Sequence, residues 1–165
     1  MRARSDLIEH LPRLRRYARA LTGDASRADD LVQDTMERAL VKLDLWKPGT
    51  DLRAWLFTVM HNLYVNQARA LRLQGPTIED PPDEPVSGGQ MEALTARDIR
   101  DALAKLPEEQ RAVLLLVGLE QFSYAEAARV IGVPTGTVMS RLARARERMR
   151  RRLTGEPVVN LKAVK

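Results

Sequence analysis

Cysteine is absent from this 165-residue chain, which excludes disulfide bridges and thiolate metal sites. Histidine is scarce: only His10 and His61 occur, and neither stands with Asp, Glu or another His at metal-ligand spacing. The chain also lacks a phosphate-binding glycine loop and a Gly-x-Ser-x-Gly nucleophile turn. These absences predict a protein that is not an enzyme and that uses no cofactor or metal.

Long apolar runs are missing as well. No segment approaches the roughly 20 apolar residues needed to cross a bilayer, and the first residues lack the apolar stretch of a secretory signal. Together with the lack of cysteine, this predicts a cytoplasmic protein with no membrane insertion. The net charge of +5 suggests a polyanionic partner, but the distribution of the charge is more informative than its sum.

Proline, glycine and acidic residues are concentrated in residues 74–90, which hold four Pro, three Gly and four acids but no Lys or Arg. Such a segment breaks helices and cannot bury a core, so it predicts a flexible linker of net charge −4. The flanking blocks lack period-two alternation and show helical spacing. The sequence therefore predicts an all-α protein with two small helical domains, residues 1–73 and 91–153, followed by a flexible tail, 154–165.

Three or four helices are predicted in the N-terminal block, with three of them near residues 5–21, 26–44 and 52–72. The second has an apolar stripe and, on its opposite face, four polar residues. The stripe is formed by Ala28, Val32, Thr35, Ala39 and Leu43, and the polar face by Asp30, Gln33, Asp34 and Glu37. In the third helix the predicted buried stripe is Trp55, Leu56, Val59 and Leu63, with Phe57, His61 and Tyr64 pointing away from it.

Four helices are predicted in the C-terminal block, near residues 91–105, 108–119, 123–131 and 135–152. Ala128, Gly132 and Val138 stand at the spacing of a helix-turn-helix, in which a small residue permits close approach and glycine adopts the left-handed turn. The last helix continues a buried stripe through Val138, Leu142, Ala145 and Met149.

The other faces of the last helix are strongly basic, with seven Arg among residues 141–152 against one acid, Glu147. A basic run alone usually indicates a solvated helix. Because this run lies on the second helix of a helix-turn-helix, it favours insertion in a DNA major groove. Thr137, Met139 and Ser140 lie near its start, where base edges are usually read.

These motifs occur in an order that resembles the small extracytoplasmic-function (ECF) sigma factors of bacterial RNA polymerase. Residues 29–40 (DDLVQDTMERAL) are similar to region 2.2, and residues 51–62 (DLRAWLFTVMHN) to regions 2.3 and 2.4. Residues 106–114 (LPEEQRAVL) and 123–128 (SYAEAA) are similar to regions 4.1 and 4.2, and 136–146 (GTVMSRLARAR) to the recognition helix. Residues 133–142 (VPTGTVMSRL) further resemble the general stress subgroup of alphaproteobacteria.

The resemblance implies three partners: core RNA polymerase, through its largest-subunit clamp helices and its flap, promoter DNA, and an anti-sigma factor. It assigns polymerase binding to Asp30, Gln33, Asp34 and Glu37. It assigns minus-ten DNA to Trp46, Arg53, His61, Asn62, Tyr64 and Arg69, with Arg72 a further candidate. Among these, Asn62 matches the residue that holds a flipped base. It assigns minus-thirty-five DNA to Thr137, Met139, Ser140, Arg141, Arg144 and Arg148. It also implies that the linker threads a basic channel of the polymerase.

Met139 departs from the family pattern, in which a basic residue is common at this position. A methionine cannot make a bidentate contact to guanine, so the minus-thirty-five preference should differ, or Ser140, Arg141 and Arg144 should carry more of the readout.

Two other functions remain as alternatives. A sigma mimic would capture an anti-sigma factor without reading DNA, and it would be expected to lose Asn62 and the Arg-rich helix. A conventional helix-turn-helix repressor would bind duplex DNA alone, and it would leave the acidic face of the second helix without a role.

Overall fold

The described part of the chain, residues 2–74 and 95–155 of a computed structural model, contains only helices. The N-terminal domain consists of α1 (Arg2–Glu9), α2 (Leu11–Thr22), α3 (Ala25–Val41) and α4 (Leu52–Gln74), with a 3-10 turn at Leu43–Leu45. The C-terminal domain consists of α5 (Ala96–Ala104), α6 (Glu108–Gly118), α7 (Tyr124–Ile131) and α8 (Thr135–Thr154). The all-α prediction with two helical domains is confirmed. The predicted linker beyond Gln74 and the tail beyond Gly155 lie outside the described residues.

The prediction of one first helix over 5–21 is wrong. The chain instead forms α1 and α2, which are separated at His10, with Pro12 in the first turn of α2. Proline lacks the backbone N–H, and its ring clashes with the carbonyl four residues earlier, so a helix begins readily at Pro12 but does not run through it. Gly23 ends α2, with φ of 68° and its N–H donating to the Arg19 carbonyl.

Side-chain caps fix the helix starts in the C-terminal domain. Ser123 and Glu126 form a capping box at the start of α7, in which each side chain accepts a hydrogen bond from the other residue's backbone N–H. Thr95 and Asp98 form a second box, so α5 begins at Ala96, later than the predicted residue 91. Gly132 ends α7 with φ of 73°, a left-handed conformation that costs glycine little.

The helix-turn-helix prediction is confirmed in the packing of α7 against α8. Ala128 is 6% exposed and Val138 is fully buried, and α7 packs against α8, as the motif requires. Leu142 and Ala145 continue the buried stripe of α8, while Met149 is half-buried.

In the N-terminal domain α3 packs between α2 and α4. Its predicted stripe is buried at Ala28, Val32, Thr35 and Ala39, and Leu43 beyond it is half-buried. The hydroxyl of Thr35 donates to the Leu31 carbonyl at 2.7 Å, which satisfies its polar group in the core.

The prediction that Phe57 and Tyr64 point away from the core of α4 is wrong. Phe57 is fully buried and Tyr64 is 5% exposed, whereas Trp55, Val59 and Leu63 are only half-buried. The reason is that α4 packs against α3 on one side and against α7 of the C-terminal domain on another. The periodicity of one helix does not reveal a second partner.

The apolar cores of the two domains are continuous. The ring of Phe57 on α4 packs edge-on against Tyr17 of α2 and against Phe122 of the C-terminal domain, with centroid separations of 5.1 and 5.2 Å. Edge-to-face pairs of this kind add to the stabilisation that comes from burial alone.

Arg111 on α6 joins the two domains by hydrogen bonds to backbone carbonyls. Its guanidinium donates to Leu103 and Ala104 at the end of α5 and to Leu106 just after it, at 2.7–2.9 Å. It also donates to Leu21 in the last turn of α2, at 2.9 Å. Many carbonyls at helix C-termini lack partners within the helix, and here one side chain donates to carbonyls at the ends of two helices.

Candidate nucleic-acid and protein interfaces

The basic surface predicted on α8 is exposed in part. Arg144 and Arg146 are exposed, and Arg148 is half-buried. Arg141 lies closer to the protein body: its side chain is 24% exposed and its Nη2 lies 3.9 Å from the Glu109 carboxylate. Arg152 is 8% exposed and therefore belongs to the protein interior rather than to the predicted basic surface.

Glu147 binds two of the arginines near the end of α8. Its carboxylate accepts hydrogen bonds from Arg150 and Arg151 at 2.8 Å. These bonds lower the pKa of Glu147 from 4.5 to about 2, so it stays charged and holds two guanidinium groups on one side of the helix. The exposed Arg144 and Arg146 lie on the N-terminal side of this cluster.

The three predicted base-reading residues lie in the first turns of α8. Met139 is 52% exposed, Ser140 is exposed and Thr137 is half-buried. The Ser140 hydroxyl donates to the Thr137 carbonyl at 3.1 Å, so its remaining hydrogen-bonding capacity is as an acceptor. Met139 offers an apolar contact, of the kind that suits a thymine methyl group.

The predicted minus-ten residues of α4 fall on two different faces. Asn62 and Arg69, seven residues apart, lie on one exposed face. Arg53, nine residues before Asn62, lies half a turn away, with a side chain only 21% exposed. Tyr64 is on the same side as Arg53 and is covered, because this side of α4 faces the C-terminal domain.

Trp46 precedes α4 and a turn at residues 47–50. In this turn the N–H and hydroxyl of Thr50 both donate to the Lys47 carbonyl, at 3.2 and 2.7 Å. The side chain of Trp46 is half-buried and packs on the core, and its Nε1 has no hydrogen-bond partner among the described residues. Asp51 then caps α4 by accepting from the Ala54 N–H.

His61 is half-buried on α4, near α8. Burial, and then the positive charge of Arg141, lower the pKa of His61 from 6.5 to about 4. Its Nδ1 is buried and has no hydrogen-bond partner in residues 2–74 or 95–155. In the folded protein the imidazole of His61 is therefore neutral and lies near Arg141, a predicted minus-thirty-five residue.

The stability of the fold should consequently fall as the pH is lowered from 6.5 towards 4. His61 takes up a proton near pH 6.5 in the unfolded chain but only near pH 4 in the folded chain. Its contribution to the free energy of unfolding is therefore complete above pH 6.5 and is lost as the pH falls from 6.5 to 4. One proton gives a slope of at most about 1.4 kcal/mol per pH unit. Denaturant unfolding over a pH series measures it.

The matched variants are His61→Gln and His10→Gln. The first should flatten the slope between pH 6.5 and 4, and the second should flatten it less, because His10 has a lowered pKa but is closer to solvent. Carboxylate titration is common to all three proteins and cancels in the comparison. Equal slopes for wild type and His61→Gln would contradict the assignment.

The four predicted polymerase-binding residues share one exposed face of α3. Gln33 donates to Glu37 at 3.1 Å, and Asp34 accepts a hydrogen bond from Gln67 of α4 at 3.0 Å. Asp34 is therefore held in place by a residue of a neighbouring helix. Gln67 was missed because its partner lies 33 positions earlier in the chain and no local pattern marks it.

Three other residues with structural roles were also missed, namely Arg16, Glu120 and Phe122, which join the two domains. Within the described ranges, no group of three or more His, Asp or Glu side chains could hold a metal ion. In the same ranges no helix is both long enough and apolar enough to cross a membrane.

The fold and these surfaces define a two-domain helical protein with a DNA-binding helix-turn-helix. Comparison with known proteins identifies its family. Residues 7–61 match the family described as "Sigma2 domain of PhyR", and residues 96–149 match "Sigma-70, region 4". The chain is 42% identical to the ECF RNA polymerase sigma factor EcfG of Rhodopseudomonas palustris, over 88% of this chain and 82% of that protein. It is 40% identical to the ECF sigma factor SigL of Mycobacterium tuberculosis, over 86% and 82%.

Solved structures agree with these matches. The sigma factor RpoE of Bartonella quintana, solved in complex with the anti-sigma factor NepR, superposes with a TM-score of 0.76 at 36% identity, over 90% of this chain and 94% of that one. The PhyRSL–NepR complex from Sphingomonas sp. Fr1 gives a TM-score of 0.68 at 26% identity, over 98% and 95%. The chain belongs to the ECF RNA polymerase sigma factors, a family that is not a class of enzymes.

Proposed function

We propose that this ECF sigma factor divides its work between its two domains. Residues 1–73 bind core RNA polymerase and the minus-ten element, and residues 91–153 bind the minus-thirty-five element. The single observation that carries this division is that one helix of each domain presents an exposed charged face of opposite sign. The face is acidic on α3 and basic on α8.

The acidic face of α3 suits a basic protein partner, the clamp helices of the largest polymerase subunit. Complementary charge steers association and fixes the docking register. The hydrogen bond that holds Asp34 against Gln67 supports this role, because a carboxylate that is already oriented loses less freedom on binding.

The exposed face of α4 suits melted minus-ten DNA. Asn62 would satisfy the polar edge of a base that has left its stack, using both amide donors and its acceptor. Trp46, which is half-buried beside the turn at residues 47–50, would contact the displaced strand. Arg69 would contact phosphate.

Asn62→Ala is therefore expected to lower the rate of promoter opening by the holoenzyme by about tenfold, because the flipped base loses hydrogen bonds in a desolvated pocket. Promoter opening can be followed by fluorescence of a base analogue in the minus-ten strand. The matched control is Asn66→Ala, which removes the same amide from an exposed position one turn further along α4. The control should change the rate by less than about twofold. Equal rates for Asn62→Ala and wild type would exclude the assigned role.

The basic surface of α8 suits a major groove with phosphates on both sides. Arg144 and Arg148 would contact phosphates, while Thr137, Met139, Ser140 and Arg141 would face bases. Because Met139 is half exposed in the first turns, the preference at its position should be for an apolar thymine methyl group rather than for guanine.

An anti-sigma factor is the third proposed partner, and the cytoplasm is the proposed location. The complex of NepR with RpoE of Bartonella quintana supports an anti-sigma partner of that kind. The similarity to EcfG and to the PhyR domain supports assignment to the alphaproteobacterial general stress subgroup. The flap of the polymerase would contact the C-terminal domain, and residues 74–90 would thread the enzyme's basic channel.

Transcription with purified core enzyme tests the proposal. Core enzyme with this chain should initiate selectively at promoters recovered by sequencing the DNA that the holoenzyme binds, and the chain alone should open none. If core enzyme plus the chain is no more selective than core enzyme alone, the proposal fails.

The sigma-mimic alternative draws support from the match of residues 7–61 to the PhyR domain. A mimic would bind the anti-sigma factor but would produce no gel shift of promoter DNA with core enzyme. The exposed Asn62 and the basic α8 favour DNA binding instead. A repressor, in contrast, would shift duplex DNA tightly without polymerase.

A further inference from the structure

The turn between α6 and α7, residues 119–123, is seated on the N-terminal domain. Its Phe122 is 2% exposed and packs against Phe57 of α4. The guanidinium of Arg53 lies over the same ring, 4.1 Å from its centroid. A cation over an aromatic face, away from water, is a favourable contact, so Phe122 is held from two directions.

Glu120 in this turn has a fully buried side chain. Its Oε1 accepts from Nε and Nη2 of Arg16 on α2, at 3.2 and 3.1 Å, and its backbone carbonyl accepts from Arg53 at 3.1 Å. The next residue, Gln121, has φ of 59°, which is unusual for a residue other than glycine. A buried carboxylate and a left-handed backbone are both unfavourable unless the surroundings compensate, so the contacts with the N-terminal domain hold this turn in place.

Three arginines of the N-terminal domain pair with acids of the C-terminal domain. The pairs are Arg16–Glu120 at 3.1 Å, Arg53–Glu126 at 3.7 Å and Arg72–Glu108 at 2.8 Å. Carboxylates thus occupy guanidinium groups that nucleic-acid phosphates would otherwise attract. Arg53, whose side chain is 21% exposed, and Arg72, whose side chain is 71% exposed, are candidate minus-ten contacts. Tyr64 is covered on the same side of α4 as Arg53.

We propose that the two domains lock each other in a closed, autoinhibited state before any partner binds, with Glu120 and Phe122 as the latch. The acids of the C-terminal domain compete with promoter phosphates for Arg53 and Arg72. Opening the latch frees this side of α4, whereas Asn62 and Arg69 are exposed in both states. The proposal rests on the proposed function for its DNA partner, but the closure itself does not depend on it.

The test measures the distance between the domains in the free, full-length chain. Because the chain has no cysteine, Ser26→Cys on α3 and Ala143→Cys on α8 supply two specific, exposed sites for spin labels. The parent protein should give one narrow distance distribution. Arg16→Glu, which places a second carboxylate against buried Glu120, should add a longer and broader population, with the ratio of open to closed forms raised about tenfold.

Two further variants make the interpretation specific. Adding Glu120→Gln to Arg16→Glu removes the repulsion and should restore most of the narrow population. Asp101→Asn removes one negative charge from an exposed position on α5 and should leave the distribution unchanged. Circular dichroism of each variant confirms that helix content is retained, and Arg16, whose side chain is 54% exposed, can change without emptying the core.

The second measurement is the affinity of the free chain for a single-stranded minus-ten oligonucleotide. Arg16→Glu should bind it about fivefold more tightly than the parent, because the competing acids have moved away. A broad distribution in the parent, or no change of distance in Arg16→Glu, overturns the latch. An open variant with unchanged oligonucleotide affinity overturns the competition. Failure of the proposed function is seen separately, as loss of selective initiation with core enzyme while the distance result stands.

Discussion

Asp30→Arg combined with Glu37→Arg is expected to weaken binding of the chain to core RNA polymerase by about 100-fold, since like charges brought together at an interface cost several kcal/mol. The two residues lie seven positions apart on one exposed face of α3. Neither is part of the core, so the free energy of unfolding should change by less than about 0.5 kcal/mol. Binding can be measured by fluorescence titration of labelled protein with core enzyme.

The control reverses the same number of charges elsewhere. Asp29→Arg with Asp101→Arg changes two exposed acids, one on the flank of α3 and one on α5, and gives the same net charge. This control should bind core enzyme within about threefold of wild type, with the small loss arising from weaker long-range steering. If both double variants lose affinity equally, net charge and not the α3 face governs binding. The proposed polymerase site would then be wrong.

Arg111→Met should produce the largest loss of stability among the substitutions considered for this chain. It keeps much of the side-chain length but removes the donors to Leu103, Ala104 and Leu106 of one domain and to Leu21 of the other. Hydrogen bonds to a charged group are worth about 1.5–3 kcal/mol each, and partly buried carbonyls left without a donor are costly. Because Ala104 is exposed, water can replace some of these hydrogen bonds. We therefore expect the free energy of unfolding to fall by about 3 kcal/mol in total.

Denaturant unfolding followed by circular dichroism measures this loss. Arg100→Met is the matched control, because Arg100 is exposed on α5 and makes one long hydrogen bond, 3.4 Å, within its own helix. Its free energy of unfolding should stay within about 0.5 kcal/mol of wild type. A similar change for both variants would show that Arg111 acts only as a surface charge.

The helix ends illustrate what sequence reasoning predicts well. The Ser123–Glu126 box and the left-handed Gly23 and Gly132 are fixed by residues within four positions of each other, so local chemistry determines them. The first helix was predicted wrongly, although the signal that decides it is also local. Pro12 is a local signal for a break, whereas the prediction of one helix over 5–21 rested on apolar spacing.

The candidate sites were predictable to different degrees. The acidic face of α3 follows from helical periodicity and is exposed as predicted. On α8, Arg144 and Arg146 are exposed as predicted, whereas Arg152 is buried. The minus-ten candidates on α4 do not form one surface, because Arg53 and Tyr64 face the C-terminal domain while Asn62 and Arg69 face outward. Periodicity identifies the two faces of α4, but it does not show which of these faces is covered by the other domain.

The sequence alone determined the helices, their caps, the helix-turn-helix and the two charged faces, because each depends on residues close together in the chain. Only the tertiary structure decided which side of α4 is covered and which arginines are paired. The contacts responsible join Arg16 to Glu120, Arg53 to Glu120 and Arg72 to Glu108, across 104, 67 and 36 positions. Contacts over such separations depend on how whole helices pack, and no local spacing encodes them.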